Sequence, residues 1–203
     1  HALRGWQFDA QTATQMATAA PFLSSVAGER LRNELGQILD SPRLVSSLEM
    51  MERFAILDLL FPGIKKDGLI PEFDSLIERI GQLEQIPCFA SLLGQSIEEG
   101  LTRKSLLILA GLFMRIDSWA VVEKITQRLR LSTQSRSVIQ TLYKEQISLK
   151  HFNNSDNPRV AALKLEVLGK NCLEQVLFAL ACHSLDYQDL QLANYFTAYQ
   201  QQL

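Results

Sequence analysis

The 203-residue sequence predicts an all-α fold, an irregular array of about ten helices. Apolar residues recur at three- and four-residue intervals along its whole length, no segment sustains the two-residue alternation of a strand, and the Gly/Pro breakers between periodic stretches are short. No repeat of fixed period is visible, which argues against a regular helical solenoid.

The elements follow in order. Asp9 is placed to N-cap a short Ala/Gln-rich helix that stops near Pro21. A second helix begins at Gly28 with Glu29 in its first turn, where the positive end of the helix dipole favours a carboxylate. Leu31, Leu35, Ile38 and Leu39 form its apolar stripe, and Arg30 and Glu34, four apart, can pair for about 0.2–0.5 kcal/mol. Ser41 and Pro42 cap and start a third helix, with Leu44, Leu48, Met51 and Ala55 as its buried line. Residues 63–71 read as a turn or short linker. Pro71 then opens a helix carrying Phe73, Leu76, Ile77, Ile80 and Leu83 on one face, ended by Pro87. A short helix follows and closes at Glu98-Glu99-Gly100. Residues 105–114 are almost wholly apolar, far short of the ~20 needed to span a bilayer, and read as a central helix buried on nearly every side. Asp117-Ser118 caps a helix with Val122, Ile125 and Leu129 inward and Lys124 and Arg128 outward. Ser132 N-caps the next, which buries Val138, Ile139, Leu142 and Leu149 and projects Arg136 and Lys144 from its other side, so the two cation pairs can flank one groove. Residues 151–158 form the best internal linker. Two or three helices finish the chain, with one stripe at Leu173, Val176, Leu177 and Leu180 and another at Leu192, Tyr195, Phe196, Tyr199 and Leu203.

With 47% hydrophobic and 21% charged residues, the composition is that of a soluble globular protein. Cys88, Cys172 and Cys182 are odd in number and widely spaced, with no disulfide or zinc pattern, so a reducing cytoplasm is the simplest location. No signal peptide or membrane span is expected, and the start at His1 suggests a processed or engineered boundary. The net charge of −2 hides an asymmetry: residues 1–100 hold 8 Lys+Arg against 14 Asp+Glu, and residues 101–203 hold 12 against 8. All twelve of those cations fall between Arg103 and Lys170, where only five acids lie. Such an excess is a plausible footprint for a phosphate backbone; the bland alternative is a solvated basic surface.

Gly28-Glu29-Arg30-Leu31-Arg32-Asn33-Glu34-Leu35, then Ile38-Leu39-Asp40-Ser41-Pro42, then Leu57-Asp58-Leu59-Leu60-Phe61-Pro62 are three signals in a fixed order. Together they resemble the neck of class II tRNA nucleotidyltransferases and bacterial poly(A) polymerases. Leu129-Arg130-Leu131-Ser132, followed by polar residues and Arg136, is similar to that family's body. Residues 2–9 look like the last turn and exit of the helix nearest the catalytic head. The resemblance implies neck-like helices over 1–62, a body-like region over 63–150 and tail-like helices over 151–203. Glu29 and Arg30, with Glu34, would be a neck motif that fixes the helix turn beneath the nucleotide pocket. The implied partner is tRNA or another RNA 3′ end, held by phosphate contacts at Lys124, Arg128, Arg130, Arg136 and Lys144. CTP or ATP, and Mg²⁺, would be bound by the head, whose Gly-Ser, Asp-x-Asp and Glu/Asp-x-x-Arg motifs precede the neck in the family and do not occur upstream of Asp9.

Catalytic chemistry is not evident in the residues themselves. His1, His151 and His183 are scattered without a metal-ligand spacing, and no Gly-rich phosphate loop occurs. Cys182 and His183, adjacent on a helix, diverge. Asp58 and Asp74 stand singly, whereas two-metal nucleotidyl transfer needs paired carboxylates. The expectation is therefore an RNA-positioning fragment of a nucleotidyltransferase, not itself catalytic. Its rivals are a self-contained helical interaction or scaffold domain, for which the acidic first half is a mild argument, and a phosphohydrolase that has lost its ligands.

Overall fold

The computed structural model describes residues 9–144 and 171–182. Among them lie ten α-helices, one 3-10 helix and one two-stranded hairpin, so the fold is all-α. The residues before Asp9, Leu149, the expected linker at 151–158, the stripe at 192–203, and all three histidines lie outside the described residues.

α1 (Ala10–Ala19) starts as its sequence dictates: the Thr12 N–H and hydroxyl donate to the two Asp9 carboxylate oxygens at 2.8 and 2.9 Å. These bonds hold the Asp9 carboxyl below its ordinary pKa. Pro21 turns the chain into a 3-10 helix (Ala20–Ser25), because proline is tolerated where the N–H needs no helical acceptor. α2 (Gly28–Leu39) buries Leu31, Leu35 and Leu39, with Ile38 at the rim.

Several boundaries differ from expectation. α3 (Leu44–Arg53) begins two residues after Pro42. Ser41 instead makes a turn, its hydroxyl oxygen accepting from Arg43 N–H at 3.1 Å and its carbonyl from Leu44 N–H at 3.1 Å. Ala55, expected on the buried line of α3, lies beyond its end, exposed and left-handed (φ +55°), where the chain bends into α4 (Ile56–Leu60). α5 (Leu69–Glu84) starts before Pro71, because Gly68 at φ +71° supplies a left-handed entry and Pro71 sits harmlessly in the first turn. After α6 (Pro87–Leu93), the region expected only to close a helix folds as an antiparallel hairpin, β1 (Ser96–Glu98) and β2 (Leu101–Thr102), paired Ser96 with Thr102 and Glu98 with Leu101. Gly100, at φ +79°, allows its turn.

α7 (Arg103–Met114) is the axis of the molecule, with eight of its twelve residues buried. A capping box starts it: Thr102 Oγ1 accepts from Ser105 N–H at 3.1 Å and Ser105 Oγ accepts from Thr102 N–H at 2.9 Å. Around it pack α9 (Thr133–Lys144) and α10 (Cys172–Cys182), together with α2, α5 and α6, while α8 (Trp119–Arg128) adds Val122 and Ile125 to the same core. Ser132 caps α9 as expected, its hydroxyl oxygen accepting from Ser135 N–H at 3.1 Å. One apolar cluster runs from Leu31 through α7 to Ala181, crossing the Pro62–Gly63 position without a break.

Candidate nucleic-acid interface

The candidate surface is organised by a polar seam between α2, the hairpin and the α8–α9 turn. α2 presents Gly28, Arg32 and Gly36 along one line, four residues apart. Both glycines let backbone approach backbone: a Cβ on Gly28 would meet the Arg128 carbonyl oxygen at 1.9 Å, and one on Gly36 would meet the Gly100 carbonyl oxygen at 1.8 Å. Between them Arg32, only 7% exposed, donates from Nη1 to the Arg130 carbonyl at 2.8 Å and approaches Glu99 at 3.9 Å. Glu98 accepts from Ser132 N–H at 2.7 Å and ties the hairpin to the same turn. At the far end of α2, Asp40 accepts from Thr102 Oγ1 at 2.7 Å; burial pushes its carboxyl above the ordinary range, against that hydrogen bond and the nearby Lys104.

The cations named from the sequence are placed unequally. Lys124 is exposed. Arg128 does not project from an outer face: its Nη1 donates to Leu59 O at 2.8 Å and its Nη2 to Leu23 O at 3.0 Å, pinning α8 to the 3-10 helix and to α4. Arg136 is half-buried, with its Nε enclosed. Lys144 is exposed and stands over the Trp119 ring. Arg103, Lys104 and Arg115 belong to the basic region but pair with Glu174, Glu84 and Glu72, acids from outside it, so the local excess of charge is smaller than the sequence sum. In the neck motif, Glu29, Arg30 and Glu34 are exposed, and the described residues contain no Arg30–Glu34 ion pair; Glu29 instead faces Arg130 at 3.9 Å across the seam. Sequence reasoning passed over Arg32, whose spacing midway between two glycines was the available signal.

Arg130 has the most telling conformation. It follows α8 with φ +54°, its N–H donating to Gln127 O at 3.0 Å while Leu131 N–H donates to Thr126 O at 3.1 Å. This is a Schellman ending, whose left-handed position is usually glycine. An arginine is retained there with its side chain 70% exposed. Arg130→Gly is expected to keep or raise stability, by up to about 1 kcal/mol, because the left-handed strain is relieved. Arg128→Ala is expected to lower stability by about 2 kcal/mol, because it removes two charge-assisted bonds to backbone carbonyls. Urea melts of the two variants check the contrast.

Among the described residues no cluster of His, Cys, Asp or Glu could hold a metal ion, and no helix is long and apolar enough to cross a membrane.

Residues 5–67 match a family model described as "Probable RNA and SrmB-binding site of polymerase A". No curated protein matches the chain significantly. Among solved structures, the fold is similar to a CCA-adding enzyme in complex with ATP (TM-score 0.62, 18% identity, covering 95% of this chain and 43% of that one). It is also similar to one in complex with CTP (0.65, 17%, 98% and 47%) and to an apo form (0.63, 19%, 98% and 46%). The chain thus spans less than half the length of the enzymes whose fold it shares.

Proposed function

We propose that this chain, which matches the polymerase A RNA-binding family model through residues 5–67, is the RNA-holding part of a CCA-adding enzyme or poly(A) polymerase. The single observation that carries the reading is the family match over the neck, supported by a shared fold that extends over nearly the whole chain and under half of the related enzymes. Catalysis by such a protein consists of positioning: an RNA 3′ hydroxyl is held against a nucleotide bound elsewhere, and a clamp that fixes one reactant removes much of the entropic barrier. Nucleotide and Mg²⁺ chemistry would belong to a separate head, and tRNA or another RNA end would be the partner here, in the cytoplasm. The seam gives this clamp its stiffness. Arg128 and Arg32 join neck and body through backbone carbonyls, so RNA gripped at the α8–α9 turn is fixed relative to α2.

The test is tRNA binding by the 203-residue chain as a function of salt. Each phosphate contact adds roughly 0.7–0.9 to the slope of log affinity against log salt. Reversing Lys124, Arg130 and Lys144 to Glu is expected to reduce that slope by about 2, with the fold intact because all three side chains are exposed. Undetectable binding at low salt, or an unchanged slope, overturns the reading and leaves the scaffold alternative.

A further inference from the structure

Trp119 opens α8 and Tyr143 lies in the last turn of α9. Their ring centroids are 5.3 Å apart with the planes inclined at 51°. The Tyr143 hydroxyl donates to Ile116 O at 2.6 Å, which locks the phenol against the α7–α8 turn. Both rings rest on the rim of the core, yet each stays half-buried. Lys144, fully on the surface, places its ammonium 5.3 Å from the Trp119 ring centroid. Among the described residues it has no carboxylate partner. Two residues before Trp119, Asp117 holds Lys65 at 2.6 Å and brings a second cation to the same corner.

Packing alone gives little reason for this arrangement. An ammonium that is itself exposed gains little from the half-buried indole beneath it, and the Trp119 ring already rests on the core without it. A rigid π-face under a movable ammonium is suited to a nucleotide: the base takes the face and the ammonium moves to the adjoining phosphate. Duplex RNA cannot use the site, because its bases are already stacked on one another and only its backbone and shallow groove are offered.

We propose that Trp119, Tyr143 and Lys144 form a stacking platform for one unpaired RNA nucleotide, with the base against Trp119 and its phosphate on Lys144. The proposal rests on the RNA-holding reading above and adds to it a contact that depends on single-strandedness, which a phosphate clamp lacks.

The experiment compares a short unpaired oligoribonucleotide with a blunt RNA duplex of equal charge, both binding the 203-residue chain. Trp6, the other tryptophan, is replaced by Phe so that emission reports Trp119 alone. The unpaired strand is expected to quench that emission and the duplex to leave it unchanged. Trp119→Leu should lose about tenfold or more in affinity for the unpaired strand and little for the duplex, while Trp119→Phe, still able to stack, keeps most of it. Lys144→Ala, which leaves the core untouched, covers the case in which Trp119→Leu folds poorly; it should weaken the unpaired strand several-fold and reduce the salt slope by about one contact. If the parent chain binds both RNAs and none of these variants separates them, the platform is overturned while the RNA-holding reading stands. If the parent chain binds neither, both fall.

Discussion

Gly36→Ala is expected to lower the unfolding free energy by about 3 kcal/mol, the upper end of what overpacking a buried contact costs. The added methyl carbon would lie 1.8 Å from the Gly100 carbonyl oxygen and 3.2 Å from Leu101, and the first of these is backbone, which cannot swing aside. Alanine's better helix propensity returns at most about 1 kcal/mol, so the clash prevails. Gly81→Ala is the control. It lies within α5 with nothing within 4 Å of the added carbon, and should therefore gain up to about 1 kcal/mol. Urea midpoints of the two variants, with unchanged denaturant slopes, should move in opposite directions. A neutral Gly36→Ala would mean that α2 does not seat on the hairpin.

The second large effect concerns the pair joining the start of α7 to α10. Arg103 Nε donates to Glu174 Oε1 at 2.9 Å, with the two side chains 11% and 8% exposed, and Arg103 Nη1 also reaches Leu92 O and Gln95 Oε1. Glu174→Ala should cost about 3 kcal/mol, because the guanidinium stays in a poorly solvated site without its counter-charge. The remaining acceptors keep the loss near the lower end for a broken buried pair. Replacing both partners, Arg103→Met with Glu174→Leu, should recover part of that loss, since it also removes the desolvation penalty of the two charges. Thermal melts of the single and double variants check this; a Glu174→Ala protein as stable as the parent would show that α10 is not held by the pair.

The elements that could be read from sequence are those governed by neighbours within one or two turns. Asp9 and Ser132 cap the helices that follow them, and the apolar stretch at 105–114 is the buried axis, because each signal is local. The hairpin at 96–102 was illegible: two and three residues carry no period, and its shape follows from Gly36 docking on Gly100. Arg128 has the helical phase of an outward residue, yet the surface outside α8 is covered by the 3-10 helix and α4, whose carbonyls it finds. The same limit hid Arg103–Glu174, two residues that nothing in the chain between them associates. Of the candidate interface, the positions of the exposed cations Lys124 and Lys144 were legible from periodicity. The seam that positions them was not, because it is made of backbone carbonyls that every residue has.

The seam also sets the order in which the protein can be made. Arg32 bonds to a carbonyl 98 residues further on, Leu23 accepts from a guanidinium 105 residues further on, and Asp40 accepts from a hydroxyl 62 residues further on. Chains emerge from the ribosome N-terminus first, so α2 appears long before its seat exists. Its leucine stripe must wait, exposed, until α7 has been synthesised, and Arg32 until the α8–α9 turn has followed. Such long-range closures are slow because the loop entropy is lost before any contact compensates for it. α2 thus takes its final place only after elements translated well behind it, and the interval between is when nascent chains of this protein are most open to chaperones and to one another.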